Sequence, residues 1–130
     1  MNLKFTDKWV LLTGATKGIG RATAVKFAES GANLILVSRS ENDLAELRHQ
    51  IRGKGQIEIF QADLSESVGR ESLVQFCKQK LSKLDVLVNN VGANIRKQTL
   101  DFTEDEVLKL YQTNCLSAWK LCTGLHELLR

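Results

Sequence analysis

The stretch from Trp9 to Gly20, Trp-Val-Leu-Leu-Thr-Gly-Ala-Thr-Lys-Gly-Ile-Gly, constrains the fold more than any other part of the chain. Val10, Leu11 and Leu12 are a short continuous apolar run, which suits a strand buried on both faces. Gly14, Gly18 and Gly20 follow at once. Ala22, Ala24, Val25, Phe27 and Ala28 then recur at helical spacing until Gly31 stops the pattern. The order is strand, glycine turn, helix. Glycine permits a tight bend and lets backbone come close to a ligand. The helix that follows opens with unpaired N–H groups and a partial positive charge. Such a turn either binds an anion, commonly a dinucleotide pyrophosphate, or simply turns a corner. The spacing Gly14-x-x-x-Gly18-x-Gly20 alone leaves both open, so the rest of the chain must decide.

The remaining elements repeat the same alternation. Strand one is expected at Trp9–Thr13 and helix one from Gly18 to Ser30. Strand two follows at Asn33–Ser38, around Leu34-Ile35-Leu36-Val37. Ser40-Glu41-Asn42-Asp43 has the form of a capping box, and its helix runs through Leu44, Leu47 and Ile51 to Gly53-Lys54-Gly55. Gln56–Gln61 is strand three, and Asp63-Leu64-Ser65 a turn. A helix from about Glu66 to Ser82 has Val68, Leu73, Val74, Phe76, Cys77 and Leu81 mostly on one face. Asp85–Asn89 is strand four. After a polar loop, Thr103 and Glu106 form a second capping box. One long helix is expected from there to Leu129. Strict strand–helix alternation implies a parallel sheet with right-handed crossovers. The expected fold is an α/β, Rossmann-type, doubly wound sheet of about four strands in the order 3-2-1-4, forming one domain over residues 1–130.

Composition removes several other classes. The 130 residues are 43% hydrophobic and 25% charged, ordinary for one soluble domain. The net charge of +3 is scattered among acids, not gathered into a stripe, so no nucleic-acid partner is expected. No apolar run approaches the roughly 18 residues of a membrane span, and the start lacks a signal-like apolar core, so a cytoplasmic protein away from membranes is expected. Cys77, Cys115 and Cys122 include no C-x-x-C pair and suit a reducing compartment. They are expected to be small buried hydrophobes, with Cys115 and Cys122 on one helix face. No metal site is expected, and neither His49 nor His126 has ligand-like neighbours.

In a sheet of this order a ligand lies across the carboxyl ends of the strands, where the order reverses between strands one and four. Strand two ends in Ser38-Arg39. An acid there would hold a ribose 2′-OH, whereas Arg39 suits a 2′-phosphate, with Lys17 in the glycine turn as a second cation. This points to NADP(H) over NAD(H); both cations could instead be plain surface charges. Asp63 after strand three could accept from an adenine amino group while Leu64 covers the ring, or Asp63 could cap the next turn. Asn89-Asn90-Val91-Gly92 after strand four is by itself only a turn signal.

Together, Thr13-Gly14-Ala15-Thr16-Lys17-Gly18-Ile19-Gly20, the Asn89–Gly92 tetrad and Asn114 resemble the short-chain dehydrogenases/reductases, and residues 90–103 with Thr113-Asn114 are similar to the tropinone-reductase-like members. Val91 stands where the family usually has alanine. The resemblance implies an NADP(H)-dependent oxidoreductase that interconverts a carbonyl and an alcohol. It implies that Gly14, Thr16, Lys17, Gly18, Ile19 and Gly20 hold the pyrophosphate and adenosine side. Ser38 and Arg39 would meet the 2′-phosphate, and Asp63 and Leu64 would flank adenine. Asn90 and Gly92 would line the nicotinamide ribose, Thr113 would lie near the adenosine, and Asn114 would be a catalytic residue.

The same resemblance also implies what these residues lack. The family's proton donor is the tyrosine of Y-x-x-x-K, assisted by a serine on a fifth strand. The one tyrosine here, Tyr111, precedes Asn114, and Cys115 stands four residues after it. The chain is therefore expected to be the cofactor-binding N-terminal portion of a reductase, inactive alone. Strand four would be a sheet edge, and the last helix would expose apolar residues such as Trp119, so a homo-oligomer through that helix is expected. The alternative is a non-catalytic nucleotide-binding module that acts as a sensor, partner or folding unit.

Overall fold

The computed structural model describes residues 3–130. Four strands, β1 (Trp9–Thr13), β2 (Asn33–Ser38), β3 (Ile57–Gln61) and β4 (Val86–Val88), form one parallel sheet in the order β3-β2-β1-β4. The expected order and the α/β doubly wound class are both observed. The helices are α1 (Gly18–Glu29), α2 (Glu41–Gln50), α3 (Ser67–Lys80), α4 (Glu104–Tyr111), α5 (Ser117–Gly124) and α6 (His126–Leu129).

The continuous apolar runs are explained by burial on both faces. Successive side chains of a strand point to opposite sides. Val10, Leu12, Leu34 and Leu36 therefore pack with Ala24 and Ala28 of α1 and with Leu44 and Leu47 of α2. Leu11, Ile35 and Val37 pack on the other side with Leu73 and Cys77 of α3 and with Leu121 of α5. The buried stripe of α1 is Gly20, Ala24 and Ala28, so a helix of small residues can lie close to the sheet.

Several expectations need correction. Helix two stops at Gln50, because Ile51 turns extended and sends its side chain into the core. Gly53 and Gly55 are not helix stops. A Cβ on Gly53 would stand 2.4 Å from the Ala28 carbonyl oxygen, and one on Gly55 would stand 2.1 Å from that of Ala32. Val68 is exposed, and its expected place on α3's buried face is taken by Arg70, whose Nη1 donates to the Leu64 carbonyl at 3.1 Å. The single long C-terminal helix is three pieces. A π-helical segment, Gln112–Leu116, separates α4 from α5, and Leu125 separates α5 from α6. The buried positions there are Thr113, Ser117, Leu121 and Leu125. Cys115 and Cys122 lie off that stripe and are exposed; only Cys77 is buried, which pushes its thiol pKa up to about 12.

Strand β4 is short and stands at a sheet edge, yet it is tied to β1 at both ends. At the entry, the Trp9 amide donates to Asp85 Oδ2 at 2.9 Å, and the Asp85 amide donates to the Trp9 carbonyl at 3.0 Å. The bond from Trp9 holds the Asp85 carboxyl below its ordinary pKa; the lesser cost of partial burial opposes this, and Lys83 and Lys8 add to it. A group with a lowered folded-state pKa contributes stability above its unfolded pKa, and that contribution is lost as pH falls through the folded value. Asp85→Ala is expected to cost about 1–2 kcal/mol at pH 7, as for a hydrogen bond to a charged acceptor. In urea titrations across pH, the gap from the parent protein should narrow below about pH 4, the ordinary carboxylate range.

Candidate functional site

The turn after β1 takes its shape from contacts that leave no room for side chains. Gly14 adopts a φ of +62°, in the left-handed region. Gly20, in the first turn of α1, passes so close to Gly14 that an added Cβ would stand 2.0 Å from the Gly14 carbonyl oxygen. Asn90 completes the knot, because its Nδ2 donates to that same carbonyl at 3.0 Å. The Asn90 and Val91 amides in turn donate to the Thr13 hydroxyl oxygen at 3.0 and 3.1 Å, and the hydroxyl donates to the Val88 carbonyl at 3.3 Å. Thr13 is fully buried, so one hydroxyl satisfies three backbone groups where β1 and β4 end.

What this knot leaves free is the start of α1. Lys17 occupies the N-cap position without a side-chain cap, and the first turn contains no acid. The leading N–H groups and the positive end of the helix dipole are therefore not offset by a local carboxylate. An added Cβ on Gly18 would meet nothing within 4 Å, so open space lies in front of these groups. Ile19 is 80% exposed beside it.

The neighbouring strand ends line up beside the turn. Thr16 Oγ1 and Ser38 Oγ are 3.1 Å apart, which joins the turn to the end of β2. Arg39 is exposed just beyond, and its carbonyl accepts from Gln61 Nε2 at 3.0 Å. Asp63 Oδ1 accepts from the Ser65 amide at 3.0 Å and the Ser65 hydroxyl at 2.6 Å. Asp63 therefore caps its turn through Oδ1, while Oδ2 lies 3.8 Å from Lys109 Nζ. Partial burial would raise the Asp63 pKa, but the Ser65 bonds, with the charges of Lys109 and Arg39, outweigh it and hold the carboxyl below its ordinary value. Leu64 departs from the expectation of a ring cover: its side chain is 2% exposed and lies in the core cluster with Leu73 and Cys77.

On the far side of the cleft, Asn114 clamps the loop that follows β4. The Ala93 amide donates to Asn114 Oδ1 at 2.7 Å, and Asn114 Nδ2 donates to the Ala93 carbonyl at 2.8 Å. Gly92 sits under this clamp, with the Asn114 oxygen 3.4 Å from where its Cβ would be. Asn114 and Thr113 both belong to the π-helical segment, whose mark is the Ser117 amide donating five residues back to Gln112. The Ser117 hydroxyl donates to the Thr113 carbonyl at 2.6 Å. Sequence periodicity missed this segment, and Asn114, a poor helix former, was its only local signal.

The predicted residues thus gather at the carboxyl ends of the strands, with Leu64's side chain turned away. A concavity of about 1490 Å³ lies elsewhere, along the outer face of α1 and the amino ends of the strands, and of the predicted residues only Ile19 lines it. Among the described residues no group of three or more His, Cys, Asp or Glu could hold a metal ion, and no helix is long and apolar enough to cross a membrane.

Comparison with known proteins agrees with this arrangement. Residues 8–130 match the short chain dehydrogenase family. The chain belongs to that family. A tropinone reductase homolog of Arabidopsis thaliana is 36% identical over 125 residues, which covers 95% of this chain and 47% of that relative. A short-chain dehydrogenase/reductase of Brucella melitensis superposes with a TM-score of 0.92 at 27% identity, over 100% of this chain and 55% of that one. An L-sorbose reductase of Gluconobacter frateurii, solved with NADPH and L-sorbose, superposes with a TM-score of 0.87 at 25% identity, over 96% of this chain and 48% of that one. The chain thus spans about half the length of these relatives.

Two substitutions test the knot in this member of the family. Gly20→Ala drives a methyl group into rigid backbone and is expected to cost about 3 kcal/mol or more, at the upper end of single-substitution effects. Thr13→Val keeps the shape but takes the hydroxyl partner from two amides and the Val88 carbonyl, and is expected to cost about 2–3 kcal/mol. Chemical denaturation reads both.

Proposed function

We propose that this chain binds NADP(H) as the cofactor-binding portion of an oxidoreductase that interconverts a carbonyl and an alcohol. The observation that carries this reading is the uncapped, acid-free start of α1 behind Lys17 and Gly18, with Arg39 exposed at the end of the adjacent strand. Gly14, Thr16, Lys17, Gly18, Ile19 and Gly20 hold the pyrophosphate side, through α1's leading N–H groups and the Lys17 charge. Ser38 and Arg39 take the 2′-phosphate, because a guanidinium grips two phosphate oxygens at once. Asp63 offers Oδ2 to the adenine amino group, and Leu64 contributes backbone only. Thr113 backs the adenosine side, and Asn90 and Gly92 border the nicotinamide ribose.

When bound, the dinucleotide supplies or accepts the hydride. Asn114 fixes the loop at Ala93 on the nicotinamide side and serves the proton path as the family resemblance implies. The NADPH recorded with the L-sorbose reductase supports this choice of cofactor. Val107, Leu108, Tyr111 and Trp119, exposed on α4 and α5, support self-association through these helices. Three free cysteines support a reducing, cytoplasmic setting.

The 130 residues contain no Tyr-x-x-x-Lys, which favours a second reading in which they bind nucleotide without turnover. Both readings require nucleotide binding. NADPH should raise the unfolding midpoint of the chain more than NADH does, since ligand binding to the folded state stabilises it. Arg39→Asp should weaken NADPH about tenfold or more, the loss of a charge-assisted phosphate contact, and reverse the preference. No shift with any nucleotide would defeat both readings. NADPH oxidation by the purified chain with a small ketone would defeat the non-catalytic one.

A further inference from the structure

The 2′-phosphate position proposed above has a carboxylate beside it. Strands β2 and β3 run in register with Ser38 opposite Gln61, and the Ala62 amide donates to the Ser38 carbonyl at 3.0 Å. Arg39 and Asp63 therefore leave the sheet at neighbouring strand ends. Asp63 stays ionised through its bonds to Ser65, so its charge is permanent at neutral pH. A bare carboxylate at this point would repel a 2′-phosphate and draw the Arg39 guanidinium toward itself. Either effect favours NADH over NADPH.

Lys109 stands against that charge. It projects from α4, a different element, and its Nζ lies 3.8 Å from Asp63 Oδ2, the oxygen Ser65 leaves free. Both side chains are partly open to solvent, 48% and 37% exposed, so the pair adds little to folding stability. Its effect falls instead on whatever charge approaches from outside.

We infer that Lys109 is a specificity-determining residue of the cofactor site: from α4 it offsets the Asp63 charge and so keeps Arg39 available to a 2′-phosphate. The inference rests on the NADP(H) reading above. Lys109 touches no phosphate in this scheme and acts through Asp63. Without Lys109 the Asp63 carboxylate competes with the 2′-phosphate for the Arg39 guanidinium, and a solvent-exposed ion pair of that kind lowers NADPH affinity by up to about fivefold at low salt.

Titration of the chain with NADPH and NADH, followed by isothermal calorimetry, tests this. Lys109→Gln should weaken NADPH about threefold to fivefold and NADH less than twofold, with the unfolding midpoint unchanged. Lys109→Arg should restore the parent preference. The selective loss should fade at about 0.5 M salt, where the screening length falls to a few ångströms. In an Asp63→Asn background, Lys109→Gln should no longer discriminate between the two cofactors. Equal weakening of both cofactors, or a selective loss that persists with Asp63→Asn, would overturn the inference. Arg39→Ala serves as the control for the underlying reading. If it weakens NADPH alone while Lys109→Gln changes nothing, only the role of Lys109 falls. If Arg39→Ala fails to discriminate, or the parent chain binds neither cofactor, the NADP(H) reading falls and this inference with it.

Discussion

The Thr13 hydroxyl is the point on which the site depends. It joins β1 to β4 at the place where strand order reverses, and it does so by satisfying backbone groups that β4 is too short to pair by itself. Once the Asn90 backbone amide is held there, its side-chain Nδ2 is positioned to donate to the Gly14 carbonyl. That carbonyl in turn fixes how near Gly20, and so the whole of α1, can come. Strand, turn and helix are thus set by a chain of contacts that begins with one buried oxygen. The open mouth at Gly18 is what remains after the inner side of the turn has been filled.

The electrostatics of the site follow from what the chain omits. α1 has no acid in its first turn and no side-chain cap, whereas α4 has three acids and a complete capping box between Thr103 and Glu106. Both helices have the same dipole and the same orphan amides. In α4 those groups are satisfied by the protein, which makes a stable helix start. In α1 they face solvent, which is the condition an anion site requires. α1 is seated on the sheet instead by its small-residue stripe of Gly20, Ala24 and Ala28. Asp63 is the one acid on this rim with a lowered pKa, and its bonding to Ser65 ties its charge to the shape of the β3–α3 turn.

The fold was legible because its two signals do not compete. Runs such as Leu34-Ile35-Leu36-Val37 need cover on both faces, and only a sheet between two helical layers supplies it. Helix ends read less well. Gly53 and Gly55 looked like stops, but their lack of a side chain answers to Ala28 and Ala32, far away in sequence. Such a contact has no local signature. Arg70 was missed for a related reason: its charge argued for solvent, while the Leu64 carbonyl gives its guanidinium an internal partner. Leu64 was read less well because it stands in the turn after β3, beyond the reach of strand alternation, and its side chain joins the core cluster of Leu73 and Cys77.

The π-helical segment shows where periodicity fails in principle. A helical reading assumes 3.6 residues per turn, which puts Cys115 and Cys122 on one face and makes both candidates for the core. The observed stripe of Thr113, Ser117, Leu121 and Leu125 advances by four, so the cysteines turn outward. The widening is stabilised by polar groups that a hydrophobicity pattern counts against burial. Ser117 bonds the Thr113 carbonyl, and Asn114 exchanges two bonds with Ala93. These bonds offset the cost of an irregular turn because they also anchor the loop after β4, which has no other regular structure before Thr99. Asn114 lies at the segment's centre, so the irregularity and the clamp are one feature. A regular helix here would aim the residue differently, and the loop bordering the cleft would lose the partner that holds it.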